Sequence, residues 1–124
     1  MASLTFDNLC QALNMSFSPD KTTRGSAEAA LSSIKGIPGA CPLLLQVVST
    51  KTIDPSMRTA ASINFKNTVR SQWINKANPA LQVHEADKPT IKPMLVELIM
   101  VETQKNIRSV LAEALYHMSI SEYP

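Results

Sequence analysis

Few side chains in this chain have the type and spacing that chemistry uses. His84, Glu85 and Asp87 form its one local cluster of ligand-type residues. A metal site needs three or four ligands held in fixed geometry. No second histidine stands nearby, so the trio reads as a solvated connector. Glu113 and His117 are four residues apart, one helical turn, which allows a surface pair. Nothing beside them supplies a nucleophile or a third group to orient the imidazole. With three glycines there is no phosphate-cradling loop. Cys10 and Cys41 lie in separate apolar stretches, where they read as small buried hydrophobes in a reducing compartment and not as a staple or zinc site. These residues argue against an enzyme, a metal site and a bound cofactor. The pattern that remains is Lys66, Asn67 and Arg70, three polar groups gathered on one side of a single segment.

That segment runs from Pro55 to Trp73. Asp54 can accept from the free N–H groups of a first helical turn, and Pro55 suits the first position because its missing N–H has no partner there. Met57, Ala60, Ala61, Phe65, Val69 and Trp73 then recur at helical spacing as an apolar stripe opposite the basic trio. Five further helices are expected. The first spans Ser3 to Met15 with Phe6, Leu9, Cys10 and Leu13 inward; the second is capped by Ser18 with Pro19 at its first position and stops at Gly36. The third covers Ala40 to Thr50, with Pro42 tolerated in its first turn. Asn75 to Ala86 lacks periodic apolar content and reads as irregular. Asp87 caps a fifth helix to about Val101, in which Pro93 sits early or makes a kink; a sixth runs from Thr103 to about Ile120.

Ser18-Pro19 and Asp54-Pro55 are matching cap–proline steps 36 residues apart. Helical-hairpin repeats have periods of roughly 30 to 47 residues. The expected fold is therefore all-α: a right-handed α-α superhelix of about three HEAT-type hairpins, each burying its stripe against the next. A plain up-and-down bundle is the alternative, and the repeat spacing disfavours it. The apolar run from Met94 to Val101 covers most of its helix's circumference, so such a helix needs cover on more than one side. A stack ending at the third pair would leave Val96 and Met100 exposed.

At 124 residues and 44% hydrophobic the chain can bury one core, giving a single domain over residues 1–124. Twelve Lys and Arg against ten Asp and Glu give a net charge of +2, too small and scattered for a nucleic-acid footprint, and six aromatic residues form no stacking ladder. No basic region followed by a long apolar run opens the chain, and Met94 to Val101, interrupted by Glu97, is too short to cross a bilayer. The expectation is a soluble protein of the cytosol or nucleus.

Arg58, Ala60, Ala61, Phe65, Lys66, Asn67 and Trp73 together resemble a helix of the importin-β superfamily of nuclear transport receptors, whose amino-terminal domains carry R-x-A-A, an aromatic residue or Leu, K-N and then W. Asn8 to Leu13, Ser18 to Leu31 with Arg24, and Leu43 to Val48 extend the resemblance over nearly the whole chain. The family keeps an Arg in each of its first second-helices, as Arg24 and Arg58 stand here. Within the superfamily the chain is similar to the group that re-exports importin-α, through Ala61 to Asn67, Glu85 to Asp87 with Ile91 and Lys92, and a closing Leu111, Glu113, Ala114 and Glu122 to Pro124. The importin-7 group shares much of this pattern, although Leu usually precedes its K-N where this chain has Phe65.

The resemblance implies an amino-terminal piece of a longer receptor that shuttles between cytoplasm and nucleus. It further implies binding of the small GTPase Ran in its GTP form by the second helices, which line a concave face. The corresponding residues are Glu28 and Ser32, then Lys66, Asn67 and Arg70, then Ser109, Glu113 and Tyr116. Importin-α would be the cargo of the whole receptor. An import module of the importin-7 kind, or a helical scaffold without Ran binding, stays open beside this reading.

Overall fold

The computed structural model describes residues 4–34 and 37–122. The expected helix boundaries at Ser3 and Gly36 and the closing Tyr123 and Pro124 lie outside the described residues. Four of the described helices start where a side chain or proline can replace the hydrogen bonds that a first turn lacks. Thr5 Oγ1 accepts from Asn8 N at 3.1 Å and opens α1, Phe6–Met15. The Asp20 carboxylate accepts from Thr23 N at 3.0 Å and from the Thr23 hydroxyl at 2.6 Å, opening α2, Lys21–Ser33. Those two bonds hold the Asp20 carboxyl below its usual range. The cap is thus Asp20 and not Ser18, and Pro19 lies before the helix. Ser18 Oγ instead accepts from Asp20 N, because a shorter hydroxyl side chain two residues upstream closes a turn where the carboxylate reaches the helix.

Gly39, at φ 86°, turns the chain into α3, Ala40–Ser49. Asp54 accepts from Ser56 N at 2.8 Å and Pro55 takes the first position of α4, Pro55–Gln72, as expected. Residues 75–86 are irregular apart from two short 3₁₀ turns, Pro79–Leu81 and Glu85–Asp87. They are nevertheless anchored: Val83 is buried and its N–H donates to Gln72 O at 2.8 Å. Asp87 precedes α5, Lys88–Val101, without capping it by its side chain, since the carboxylate is taken by Gly39 N at 2.7 Å. Pro93 sits inside α5, and Lys105–Glu122 forms α6.

Six α-helices and no strand occur among the described residues, and they pair as α1–α2, α3–α4 and α5–α6. The first helices touch in order, α1 with α3 and α3 with α5, while α4 packs closely on α6. This is a stack of HEAT-type hairpins. The core runs between the two rows: Leu9, Leu13, Leu45, Val48, Phe65, Val69, Ile91, Leu95, Ile107, Leu111 and Met118 belong to one buried cluster. The α4 stripe is buried at Ala61, Phe65, Val69 and Trp73 and half-buried at Met57 and Ala60.

The fourth residue of each second helix is an arginine: Arg24, Arg58 and Arg108. Each turns back onto a carbonyl upstream of its helix, at Ser18, Val48 and Glu102 respectively. Arg58 alone is fully covered. Its Nε donates to Val48 O at 2.7 Å and its Nη2 pairs with Glu102 Oε1, the two side chains 5% and 2% exposed. Glu102 Oε2 accepts in turn from Gln104 N at 2.9 Å, where α6 begins. One guanidinium thereby joins the end of α3, the start of α4 and the α5–α6 turn.

A second junction forms at the opposite end of α4. Trp73 is fully buried; its Nε1 donates to Glu122 Oε1 at 3.0 Å, and Lys88 Nζ lies 4.9 Å from the ring centroid. Lys92 Nζ donates to the other Glu122 oxygen at 2.6 Å. The Lys92 ammonium, with the Trp73 indole N–H, keeps the Glu122 carboxyl below its usual range.

Two outcomes follow for stability. Glu102→Ala leaves the Arg58 charge buried without its counter-ion and should cost about 3–5 kcal/mol, read as a lower denaturant midpoint than Arg58→Leu with Glu102→Leu combined. Because the Glu122 pKa is lowered on folding, its stabilisation is present above the unfolded carboxyl range and is lost as pH falls through the folded value. The stability difference between the protein and Glu122→Gln should therefore be largest near neutrality and close in acid below about pH 4, measured by urea unfolding across pH.

Candidate protein-docking face

The second helices α2, α4 and α6 present the polar residues singled out in the sequence. Asn106 Nδ2 donates to Thr59 Oγ1 at 3.2 Å, and Lys66 Nζ faces Glu113 Oε2 at 3.8 Å. Both contacts join residues 47 apart, so α4 and α6 run parallel in a fixed register. That register places Arg70 opposite His117.

The structure gathers the eight candidate residues into three settings. Glu28 and Ser32 on α2 and Asn67 on α4 line a polar cleft of about 290 Å³, joined by Ser16, Leu31 and Asn64. Lys66 and Glu113 pair across α4 and α6, the lysine side chain 18% exposed and the glutamate 51%. Lys66 is thus half-buried with its charge already met, not a free cation on an open face, because its stem lies between two closely packed helices. Arg70, Ser109 and Tyr116 are exposed. Arg70 makes no ion pair among the described residues, nor does Glu28, so one free cation and one free anion stand on the face. The Tyr116 ring meets His117 edge-on, with centroids 5.6 Å apart.

Asn64, Ser16 and His117 complete this surface and were not in the sequence-derived set. Asn64 could have been found at three residues before Asn67, on the same side of the helix. Its Nδ2 donates to Ala60 O at 2.9 Å, and its carboxamide oxygen is an acceptor not used in that bond. Ser16 comes from the end of α1 and carries no local sequence signal. The whole arrangement suits mixed hydrogen bonding and paired charges with a folded partner.

Chemistry at a reacting centre has little to work with here. His84 Nδ1 accepts from Ala86 N at 3.3 Å, Glu85 pairs with Lys88 at 2.9 Å, and Asp87 is held by Gly39, so the cluster in the connector is spent on local structure. Among the described residues no group of three His, Cys, Asp or Glu could hold a metal ion. Both cysteines are free thiols. Burial, with the Asp87 carboxylate adding to it, pushes the Cys41 thiol up to about 12, which keeps it protonated and unreactive. Burial also raises Cys10, with Asp7 contributing. Among the described residues, no helix is long and apolar enough to cross a membrane.

The sequence profile of the family described as the importin-beta N-terminal domain matches residues 27–101, from the middle of α2 through α5. The chain belongs to this family. It is also similar to exportin-2 from several organisms: 29% identical over 107 residues to that of Dictyostelium discoideum, 27% over 124 residues to that of Homo sapiens, and 30% over 112 residues to that of Pongo abelii. These alignments take in 86%, 100% and 90% of this chain but 11%, 13% and 11% of the relatives, so the chain spans about an eighth of their length or less. No solved structure matches the chain at a significant level. The matched region contains Arg58, Ala60, Ala61, Phe65, Lys66, Asn67 and Trp73, the residues of α4 and its end on which the sequence resemblance rests.

Proposed function

We propose that this domain is the amino-terminal module of a nuclear transport receptor and binds the small GTPase Ran in its GTP form through the face built from α2, α4 and α6. Family membership carries the reading, because importin-β amino-terminal domains are transport-receptor modules. The similarity to exportin-2 supports placing the chain in a receptor that returns importin-α to the cytoplasm and shuttles between the two compartments. A domain extending over residues 1–124 accords with one continuous buried cluster from α1 to α6.

Each side chain on the face has a role that its surroundings suggest. Arg70, exposed and without a counter-ion, meets a carboxylate of the GTPase. Glu28, Ser32 and Asn67 line a cleft able to take a basic side chain and the backbone groups beside it. Ser109 and Tyr116 add hydrogen-bonding groups on α6. Lys66 and Glu113 neutralise each other before docking, so they contribute by changing partners and not as open charges.

A helical scaffold is the second reading, and the outer face of α5 favours it. Val96, Met100 and Val101 are exposed there, Met100 to 79%. An uncovered apolar strip promotes association between copies. Light scattering at high concentration should show self-association that Met100→Lys relieves; a clean monomer would remove this reading.

The receptor reading is checked by capture on Ran loaded with a non-hydrolysable GTP analogue against Ran with GDP. Preference for the GTP form, reduced about tenfold or more by Lys66→Ala with Arg70→Ala, as the loss of two charged interface contacts requires, is the expected outcome. Equal capture of both forms, or capture indifferent to the double substitution, would refute it.

A further inference from the structure

Glu113 stands between two nitrogens as an ion-pair partner and is hydrogen-bonded to neither. Its Oε2 lies 3.8 Å from Lys66 Nζ and its Oε1 lies 3.8 Å from His117 Nε2. Both separations exceed hydrogen-bonding distance. At 51% exposed, the carboxylate has room to rotate, whereas Lys66 and His117 are held at 18% and 16% by the helices around them. His117 Nε2 is buried and has no hydrogen-bond partner, which is uncommon for a buried polar atom. Neither contact can become a hydrogen bond unless the Glu113 carboxylate or its neighbour moves.

The charges around His117 give that movement a direction. On its own helix the imidazole faces Glu113 one turn back and the edge of Tyr116. From α4 it faces Lys66, through the shared Glu113, and Arg70 through the register of 47 residues. Of the three α5 charges, two are paired and the third lines another cleft. Glu97 lines a cleft with Ser49 and Lys51 on the α3 side, Lys92 is bound to Glu122, and Lys88 to Glu85. Glu113 is thus the anion available to a protonated His117.

We propose that Glu113 is a shared counter-ion that passes from Lys66 to His117 when the imidazole takes up a proton, uncovering the Lys66 ammonium for a carboxylate of the docked partner. Histidine is the side chain that ordinarily changes charge in the physiological range. The added proton comes from solvent, and the Nε2–H of the cation then donates to Glu113 Oε1. The exchange is reciprocal: an acidic partner group at Lys66 displaces Glu113 toward His117 and so draws a proton onto the ring. The partner half of this inference rests on the docking function proposed above; the hand-over itself belongs to the free protein.

Carbon and nitrogen NMR of the protein alone tests the hand-over between pH 8 and 5.5. The Glu113 carboxyl and Lys66 ammonium resonances should follow the His117 ring titration. His117→Gln should abolish the inflection in both, and Glu113→Gln, at an exposed position, should abolish it in Lys66. Resonances of Glu113 and Lys66 that ignore His117 overturn the proposal. Calorimetry with Ran bound to a GTP analogue, in two buffers of different ionisation heat, tests the coupling. Net proton uptake is expected, with affinity rising about fivefold or less between pH 7.5 and 6, the scale of one exposed ion pair. Glu28→Ala, in the cleft away from His117, should weaken binding at each pH and leave the uptake intact, while His117→Gln should remove the uptake. Binding without proton uptake overturns the coupling. His-linked shifts in the free protein with no capture of Ran support the hand-over and refute the docking function instead.

Discussion

Arg58 and Glu102 lie in the interior as charges, and the arrangement of the second and third hairpins depends on how they are satisfied. Removing two ions from water is costly, and the cost is offset only when nearly every donor and acceptor finds a partner. Here Arg58 holds Val48 O and Glu102, while Glu102 holds Gln104 N as well. Three chain segments must converge for that set of bonds to exist. Their convergence fixes where α4 and α6 start relative to each other, and the parallel register follows. Through the register, Lys66 comes to face Glu113, and the polar face acquires its particular pairing of charges.

The same arginine position recurs in each hairpin with different consequences. Arg24 and Arg108 reach single carbonyls at 3.5 and 3.4 Å, weak contacts near the limit of hydrogen bonding. Arg58 belongs to the middle pair, covered on both sides, and there the motif turns into a buried ion pair. Unequal repeats are accommodated at the other end of α4, beyond Trp73. The caps Asp20 and Asp54 are 34 residues apart, whereas α6 starts 50 residues after α4. The surplus is taken up by residues 75–87, which fold back and tie to Gln72 through Val83 and to Gly39 through Asp87, so the helices keep their stacking.

Much of this was legible locally. The stripe on α4, the Asp54–Pro55 start and the paired helices all follow from periods and caps that lie within one segment. Local chemistry failed where a long-range partner intervened. Asp87 marks a helix start, yet its carboxylate leaves the helix for Gly39, 48 residues earlier. Ser18 looks like a cap because it precedes a proline, but Asp20 reaches farther. Glu102 carries no local signal of burial, and its cover comes with the approach of Arg58 from 44 residues earlier. On the candidate face, the residue types were visible and their pairing was not: Lys66 and Glu113 are 47 positions apart, and no periodicity within one helix announces that they meet. His117 stands one helical turn after Glu113 and gains its significance only from Lys66 on another helix.

Trp73 is the one tryptophan of the chain, and its surroundings come from three separate places: the end of α4, the start of α5 and the end of α6. Its indole is dry, hydrogen-bonded to a carboxylate and set beside an ammonium, all of which vanish together if the third hairpin leaves the second. The molecule therefore carries an intrinsic optical reporter at the seam between two repeats. Its emission follows that seam specifically, and the loosening of α1 and α2 at the far end would pass unseen by it.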